Sequence, residues 1–295
     1  MLSDSKKEVY IDLLKEIAKI YKNQAEYFKE RAYKTAINKL EMLDDNEDIS
    51  EDIGKSAFQR LKEYDDTGKI ELIEKEKSNM LHVFSDIYGI GPKKAMELSK
   101  KYKSIDELYR NTHELNDKQK IGLKFYEDSK LRIPRKEILK FEKKVKNILK
   151  NFKNSNMNAD IVGSFRRGKS DSGDIDVIFS SDNQNDFDRF ISEFNIEYFL
   201  TKGKKKVMCF YKINDVMRRI DFLYTPRSEY PFALLYFTGS KLLNIKMRKI
   251  AKNDKELSLN EKGFFKGTKM IDDNFNSEED IFDYLGMKYL KPLDR

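Results

Sequence analysis

Three aspartates carry the chemistry this sequence most directly suggests. Asp174 and Asp176 stand two apart in Ser172-Gly173-Asp174-Ile175-Asp176-Val177. In a strand successive side chains alternate faces, so both carboxylates point one way while Ile175 and Val177 pack behind them. Left unneutralised, such a pair repels itself and raises a pKa, which makes a divalent cation its natural partner. Asp221, in Arg219-Ile220-Asp221-Phe222-Leu223, is flanked by apolar residues in the same way. Three acidic side chains on adjacent strands can hold two metal ions about 4 Å apart, steadying the attacking and leaving oxygens of an in-line phosphoryl displacement. The single cysteine, Cys209, and the two histidines, His82 and His113, leave any metal to mainly oxygen ligands, a set that suits magnesium. A D-x-D pair alone more often marks surface or turn aspartates. Gly163-Ser164-Phe165-Arg166-Arg167-Gly168 just upstream changes that balance. Its glycine and serine N–H groups can approach a phosphate without Cβ obstruction, and Arg166 and Arg167 add fixed positive charge for a triphosphate.

The elements that must position these groups change character along the chain. With 58 Lys and Arg against 51 Asp and Glu, the 295-residue chain has a net charge of +7, which makes a polyanion the first partner to consider. No run approaches the ~18 uncharged apolar residues of a membrane span, and Met1 to Tyr10 has no secretory h-region, so an intracellular protein without a membrane partner is expected. Tyr10, Leu13, Leu14, Ile17, Ile20 and Tyr21 recur at three- and four-residue spacing, and further helices are expected over Tyr27–Leu43 and up to Thr67-Gly68. An acidic loop is expected over Asp44–Ser50, and Glu71–Asn79 reads as a helix tail running into a linker. From about Leu81 short helices are punctuated by glycine, and a long amphipathic helix is expected from Arg135 to Asn151. The period then becomes two at Ile161-Val162-Gly163, Ile175–Phe179, Val207–Tyr211 and Arg219–Leu223. The last 65 residues return to helix and turns. An α+β region thus succeeds an all-helical one.

The chain resembles the family X DNA polymerases over essentially its whole length. The motifs that carry the resemblance are GIGP at Gly89 to Pro92, LRIPR at Leu131 to Arg135, GSFRRG at Gly163 to Gly168, SGDIDV at Ser172 to Val177, RRID at Arg218 to Asp221, LYFTGS at Leu235 to Ser240, NIKMR at Asn244 to Arg248, and EDIFDYLGMKY at Glu279 to Tyr289. The resemblance implies an α+β fold in four parts: a helical lyase-like domain over 1–80, a helix-hairpin-helix subdomain over 81–133, a mixed-sheet palm over 134–226, and a small C-terminal α+β subdomain over 227–295. It implies template-directed gap filling in DNA repair, with Asp174, Asp176 and Asp221 holding two Mg2+ ions, for which Mn2+ can substitute. Gapped or nicked duplex DNA and dNTPs are the implied partners, and the protein is expected to be a monomer, nuclear or cytoplasmic. The same resemblance assigns Gly163, Ser164, Arg167, Gly173 and Arg132 to the incoming triphosphate. Tyr236, Phe237 and Gly239 fall to the segment that packs against the sugar. Asn244 and Arg248, four apart and so on one helical face, are placed at the minor-groove edge of the nascent pair, where acceptors sit alike in every Watson–Crick pair. Lys206 and Arg219 are expected to contact DNA.

Gly89, Gly91 and Lys93 belong to a turn resembling a helix-hairpin-helix, whose exposed N–H groups meet a phosphate regardless of base sequence. The family resemblance also implies a potassium or sodium ion at this turn's carbonyls. Ala32-Tyr33-Lys34 and Thr67-Gly68-Lys69 resemble the family's 5′-deoxyribose-phosphate lyase domain. Lys29 and Tyr33 are expected to bind a 5′-phosphate. The lyase nucleophile position falls on Arg60, and a guanidinium stays protonated and cannot form the Schiff base, so lyase activity rests on whether Lys55 or Lys62 substitutes. Lys241 stands where close relatives commonly carry an acidic residue, which implies altered base selection. Two other classes share some of these features: template-independent nucleotidyltransferases, which have no need of the helix-hairpin-helix or the Asn244/Arg248 pair, and non-catalytic DNA-end-binding proteins, which have no need of all three carboxylates.

Overall fold

The computed structural model describes residues 3–43, 47–152, 156–271 and 274–295; of the acidic loop expected over Asp44–Ser50, Asp44 to Asn46 lie outside the described residues. The chain divides into two compact units, Met1–Lys124 and Phe125–Arg295. Among the described residues no helix is long and apolar enough to cross a membrane.

In the first unit the helical spacing becomes Asp4–Asn23, Tyr27–Met42 and Lys55–Thr67. The Ser3 hydroxyl caps the first by accepting from the Lys6 N–H, and Gly68, at φ 73°, ends the third in the left-handed conformation that costs glycine least. Tyr10, Leu14, Ile17, Leu40 and Leu61 are buried. The stretch expected as a helix tail running into a linker holds instead a separate helix, Glu71–Glu76, because Ile70 and Ile73 are buried and hold it to the unit's core. The helix Pro92–Lys101 starts with Pro92 in its first turn, where a missing N–H costs nothing. Its preceding turn, with Gly89 at φ 85°, is fastened to the helix Asp117–Lys124: Gln119 Nε2 donates to the Gly89 carbonyl at 3.0 Å. Gly122 of that helix lies so close to Tyr88 that a Cβ would stand 2.2 Å from the Tyr88 carbonyl oxygen.

The second unit is built on a five-stranded sheet: β1 (Asn158–Ile161), β2 (Ile175–Ser181), β3 (Tyr198–Lys202), β4 (Lys206–Ile213) and β5 (Val216–Pro226), in the order β1-β2-β5-β4-β3. β2 and β5 run parallel and the other neighbours antiparallel. One face is covered by the helices Arg135–Lys150 and Asn185–Ser192. Ile138, Phe141, Val145 and Ile148 from the first, and Phe187 and Phe190 from the second, join Ile175, Val177, Phe179, Ile220 and Phe222 in one buried cluster. On the other face Ile178 clusters with Val162 and with Ala233 of the helix Tyr230–Thr238.

Period-two reading misses β3 because a bulge between Phe199 and Thr201 breaks the alternation. It also carries β1 too far: the strand ends at Ile161, and Gly163 opens a helical turn, Gly163–Arg166. The C-terminal stretch holds the helices Lys241–Lys255 and Glu278–Tyr284, but also a three-stranded antiparallel sheet of Ser258–Leu259, Phe264–Lys266 and Lys269–Met270. Strands of two and three residues are too short to leave a periodic signal, so periodicity reads only helix and turns there; the region is α+β, as the family resemblance implies.

Gly122→Ala is expected to destabilise the first unit by about 1–3 kcal/mol, although alanine is the better helix former, because the new methyl group must displace backbone. Urea denaturation of the two proteins checks this.

Candidate active site

The parallel register of β2 with β5 sets Asp176 directly beside Asp221. Adjacent strands lie about 4.8 Å apart, so the two carboxylates crowd one spot. Alternation puts them on the face of Ile178, while their neighbours Ile175, Val177, Ile220 and Phe222 enter the core on the other. Asp174 directly precedes β2, and continuing the register by one residue sets it against Arg219. The Arg219 guanidinium engages the Asp174 carboxylate, and its Nε lies 3.6 Å from Asp221 Oδ1. On β4, Lys206 Nζ reaches Asp221 Oδ2 at 3.2 Å. Among the described residues no three His, Cys, Asp or Glu side chains form a metal-holding group as they stand: Asp176 and Asp221 are together, and Asp174 is occupied by Arg219.

Burial pushes the Asp176 carboxyl up to about 6, with the charge of Asp221 adding to the rise and Lys206 opposing it. Asp221 Oδ1 is buried and accepts no hydrogen bond. A carboxyl whose charge is disfavoured by burial, beside a carboxylate oxygen with no hydrogen-bond partner, is a donor set that suits a hard divalent cation, and Asp176, Asp221 and Asp174 are the side chains that would hold one. Cys209 lies on β4, buried in the core cluster of the opposite face, its thiol pushed up to about 12 by burial and then by Asp221, so it offers no ligand.

Upstream, Gly163 at φ 64° brings backbone close to the carboxylates, since a Cβ there would lie 3.4 Å from Asp176 Oδ2. Ser164 and Ser172 pair hydroxyls at 2.7 Å. Arg135 braces this turn, donating to the Phe165 carbonyl at 2.6 Å with its guanidinium over the Phe165 ring. Arg166 departs from expectation. Its charge is spent on the buried Glu278 at 2.8 and 2.9 Å and on the Thr238 hydroxyl at 2.8 Å, and Arg295 joins Glu278 from the other side at 2.7 Å. It is a structural clamp rather than a free charge for a triphosphate. Although burial alone would raise it, these two guanidiniums hold the Glu278 carboxyl below the usual range. Arg167 donates to the Thr238 carbonyl at 2.6 Å. Arg132, exposed and paired with Asp171 at 2.6 Å, lies beside Gly173, where a Cβ would stand 3.2 Å from Arg132 Nη1.

Tyr236, Asn244 and Arg248 line one small pocket with Phe232, Met247 and Asn260. Asn244 Nδ2 donates to the Tyr236 carbonyl at 2.7 Å, and Arg248 Nε to the Asn244 carbonyl at 3.1 Å. Phe237 packs edge-on to Tyr236 and against the Val162–Ile178 cluster behind β2. Gly239 ends this helix at φ 73°, with no room to spare beside Arg167.

In the first unit Gly89 and Gly91 form the expected turn and Lys93 is exposed. The Gly89 carbonyl is already taken by Gln119. Tyr33 is buried with its hydroxyl 2.9 Å from Ser56 Oγ, and Lys29 pairs with Glu26 at 2.6 Å. Arg60 is held by Glu63 at 2.7 Å, a contact that keeps the guanidinium charged. Lys55 and Lys62 are exposed.

Comparison with known proteins covers most of this chain. Residues 82–130 match the fingers domain of DNA polymerase lambda, 132–227 the DNA polymerase beta palm and 233–295 the DNA polymerase beta thumb. The chain is 28% identical to DNA polymerase lambda of Arabidopsis thaliana over 278 residues, covering 82% of this chain and 52% of the relative. It is 28% identical to DNA polymerase lambda of Rattus norvegicus over an alignment of 317 residues (96% and 55%), and 26% identical to DNA nucleotidylexotransferase of Xenopus laevis over 274 residues (77% and 54%). The chain thus spans about half the length of the curated relatives it matches.

The raised Asp176 acid sets the sign of a pH effect in metal-free protein. Well below pH ~4 the group is protonated folded or unfolded, and that stability is lost as pH rises from about 4 through about 6. In EDTA, Asp176→Asn is expected to be more stable than wild type by about 2–3 kcal/mol at pH 8, the gap closing towards pH 4, as urea titrations will read.

Proposed function

This chain belongs to the family X DNA polymerases, and from that premise we propose that it is a template-directed polymerase that fills short gaps in duplex DNA, transferring a nucleotidyl group from a dNTP to a primer 3′-hydroxyl. The single observation that carries this reading is the side-by-side placement of Asp176 and Asp221 with an orphaned buried oxygen, one residue's register away from Asp174. Two magnesium ions at these three carboxylates would supply Lewis-acid stabilisation of the oxygens exchanged at phosphorus. The chain's own groups bind and orient. Gly163, Ser164, Arg167, Gly173 and Arg132 surround the place for the triphosphate, and Tyr236, Phe237 and Gly239 wall the sugar. Asn244 and Arg248 test the shape of the nascent pair. Lys206 and Arg219 are the cations that pass from the carboxylates to DNA phosphates. In the first unit Gly89, Gly91 and Lys93 hold the backbone and Lys29 and Tyr33 a 5′-phosphate. The fourfold division at 80, 133 and 226 belongs to the same reading, as do a monomeric state and a monovalent ion at the glycine turn.

Asp221→Ala is expected to cut single-nucleotide insertion on a gapped duplex with magnesium about 10²- to 10³-fold while leaving DNA binding intact. Insertion that survives the substitution would remove the carboxylates from the chemistry. Extension of a primer without template would move the reading towards the activity named for the Xenopus laevis relative.

The lyase half of the family chemistry is expected to be absent, because Arg60 is fixed and charged where an amine is needed. Borohydride is expected to trap no covalent adduct on an abasic substrate. An adduct lost on Lys55→Ala or Lys62→Ala would reverse this.

A further inference from the structure

We propose that the outer face of the helix Arg135–Lys150 is a second polyanion surface, a lysine stripe that grips the backbone of a duplex DNA segment not held at the carboxylates. The inference rests on the polymerase reading for the identity of the polyanion and goes beyond it in placing a contact on the far side of the sheet.

This 16-residue helix carries seven basic residues and two acidic ones. One of the two acids, Glu137, is buried and committed to Arg218 at 3.0 Å. The other, Glu142, pairs with Lys146 at 3.2 Å. At 100° per residue Lys136, Lys140, Lys143 and Lys150 fall within an arc of about 80°, and they run along about 21 Å of helix. All four are exposed. Lys136, Lys143 and Lys150 have no ion-pair partner among the described residues, and Lys140 meets only the neutral Asn214 amide oxygen at 3.2 Å.

An ordinary solvated helix face mixes signs at i and i+4, which supports the helix. Here Lys136 and Lys140, Lys140 and Lys144, and Lys146 and Lys150 are like charges at that spacing, an arrangement that opposes the helix until an anion neutralises it. Duplex DNA presents a phosphate about every 3.4 Å per strand, so the stripe matches the backbone of about six base pairs. Lysines without a planar fork or neighbouring base-reading side chains contact phosphate as point charges and read no sequence. A lipid surface fits poorly. The helix's apolar face is consumed by the core cluster, leaving Leu139 as its one exposed large apolar side chain. The stripe faces away from the catalytic groups: the helix lies on the Ile175–Val177 face, while Asp176 shares the opposite face with Ile178. The polyanion it holds is therefore a different segment from the primer end.

The test is Lys136→Gln, Lys143→Gln and Lys150→Gln combined in the full chain, with circular dichroism melting no lower than wild type as the folding control. Insertion on a short gapped duplex is measured beside binding to a long ungapped duplex across a NaCl series. The expected result is unchanged insertion, roughly tenfold weaker binding to the long duplex, and a log K against log salt slope shallower by about 2–3. Wild-type insertion with an unchanged slope in the variant overturns the stripe and leaves the polymerase reading standing. A wild type that neither inserts nor binds DNA sinks both. Loss of binding to phosphatidylserine vesicles, with DNA binding unaltered, overturns the DNA assignment in favour of a membrane.

Discussion

Two carboxylates held at one level of adjacent parallel strands repel each other, and the fold keeps them there because their neighbours are committed elsewhere. Ile175 and Val177 on β2, and Ile220 and Phe222 on β5, are locked into the core beneath two helices. A slip of one residue would turn either strand inside out and drive the acids into the apolar core beneath the helices. Hydrophobic burial thus holds an electrostatically unfavourable arrangement in place. The unfavourable term is what gives the site its affinity for positive charge.

The protein's own cations show the same demand. Lys206 and Arg219 already lean on Asp221, and Arg219 on Asp174 as well. Alternation along β5 divides the two consecutive arginines: Arg219 faces the carboxylates, whereas Arg218 goes through the sheet to Glu137. Arg218–Glu137 is a bidentate pair in a buried setting, with Arg218 also reaching the Leu131 carbonyl at 3.2 Å. Losing either partner would strand a buried charge. It ties the long helix to the strand that carries Asp221. One dipeptide therefore serves both the carboxylate cluster and the mechanical footing of its strand.

What was legible beforehand was local. The D-x-D spacing, the flanking apolar residues and the Gly-Ser turn each need only the two-residue period or the absence of a Cβ to be read. The Gly89 and Gly91 turn and the Asn244–Arg248 face needed only local geometry too. The fate of Arg166 was not legible, because its partner Glu278 is 112 residues away and nothing in the turn distinguishes it from Arg167. Arg219's hold on Asp174 likewise depends on strand pairing rather than on sequence neighbours. That Glu71–Glu76 is a separate helix rather than the tail of the one before it was hidden by its charges, with two buried isoleucines deciding what the composition obscured.

Cys209 has a practical consequence. It is the chain's one thiol, fully buried beneath the sheet and pushed up to about 12 by burial and by the adjacent Asp221, so almost none of it is thiolate at neutral pH. A cysteine engineered onto the surface would therefore be the single reactive handle for a fluorophore or spin label, with no background to remove. Unmasking of Cys209 to an alkylating reagent, in turn, would clock the opening of the sheet itself.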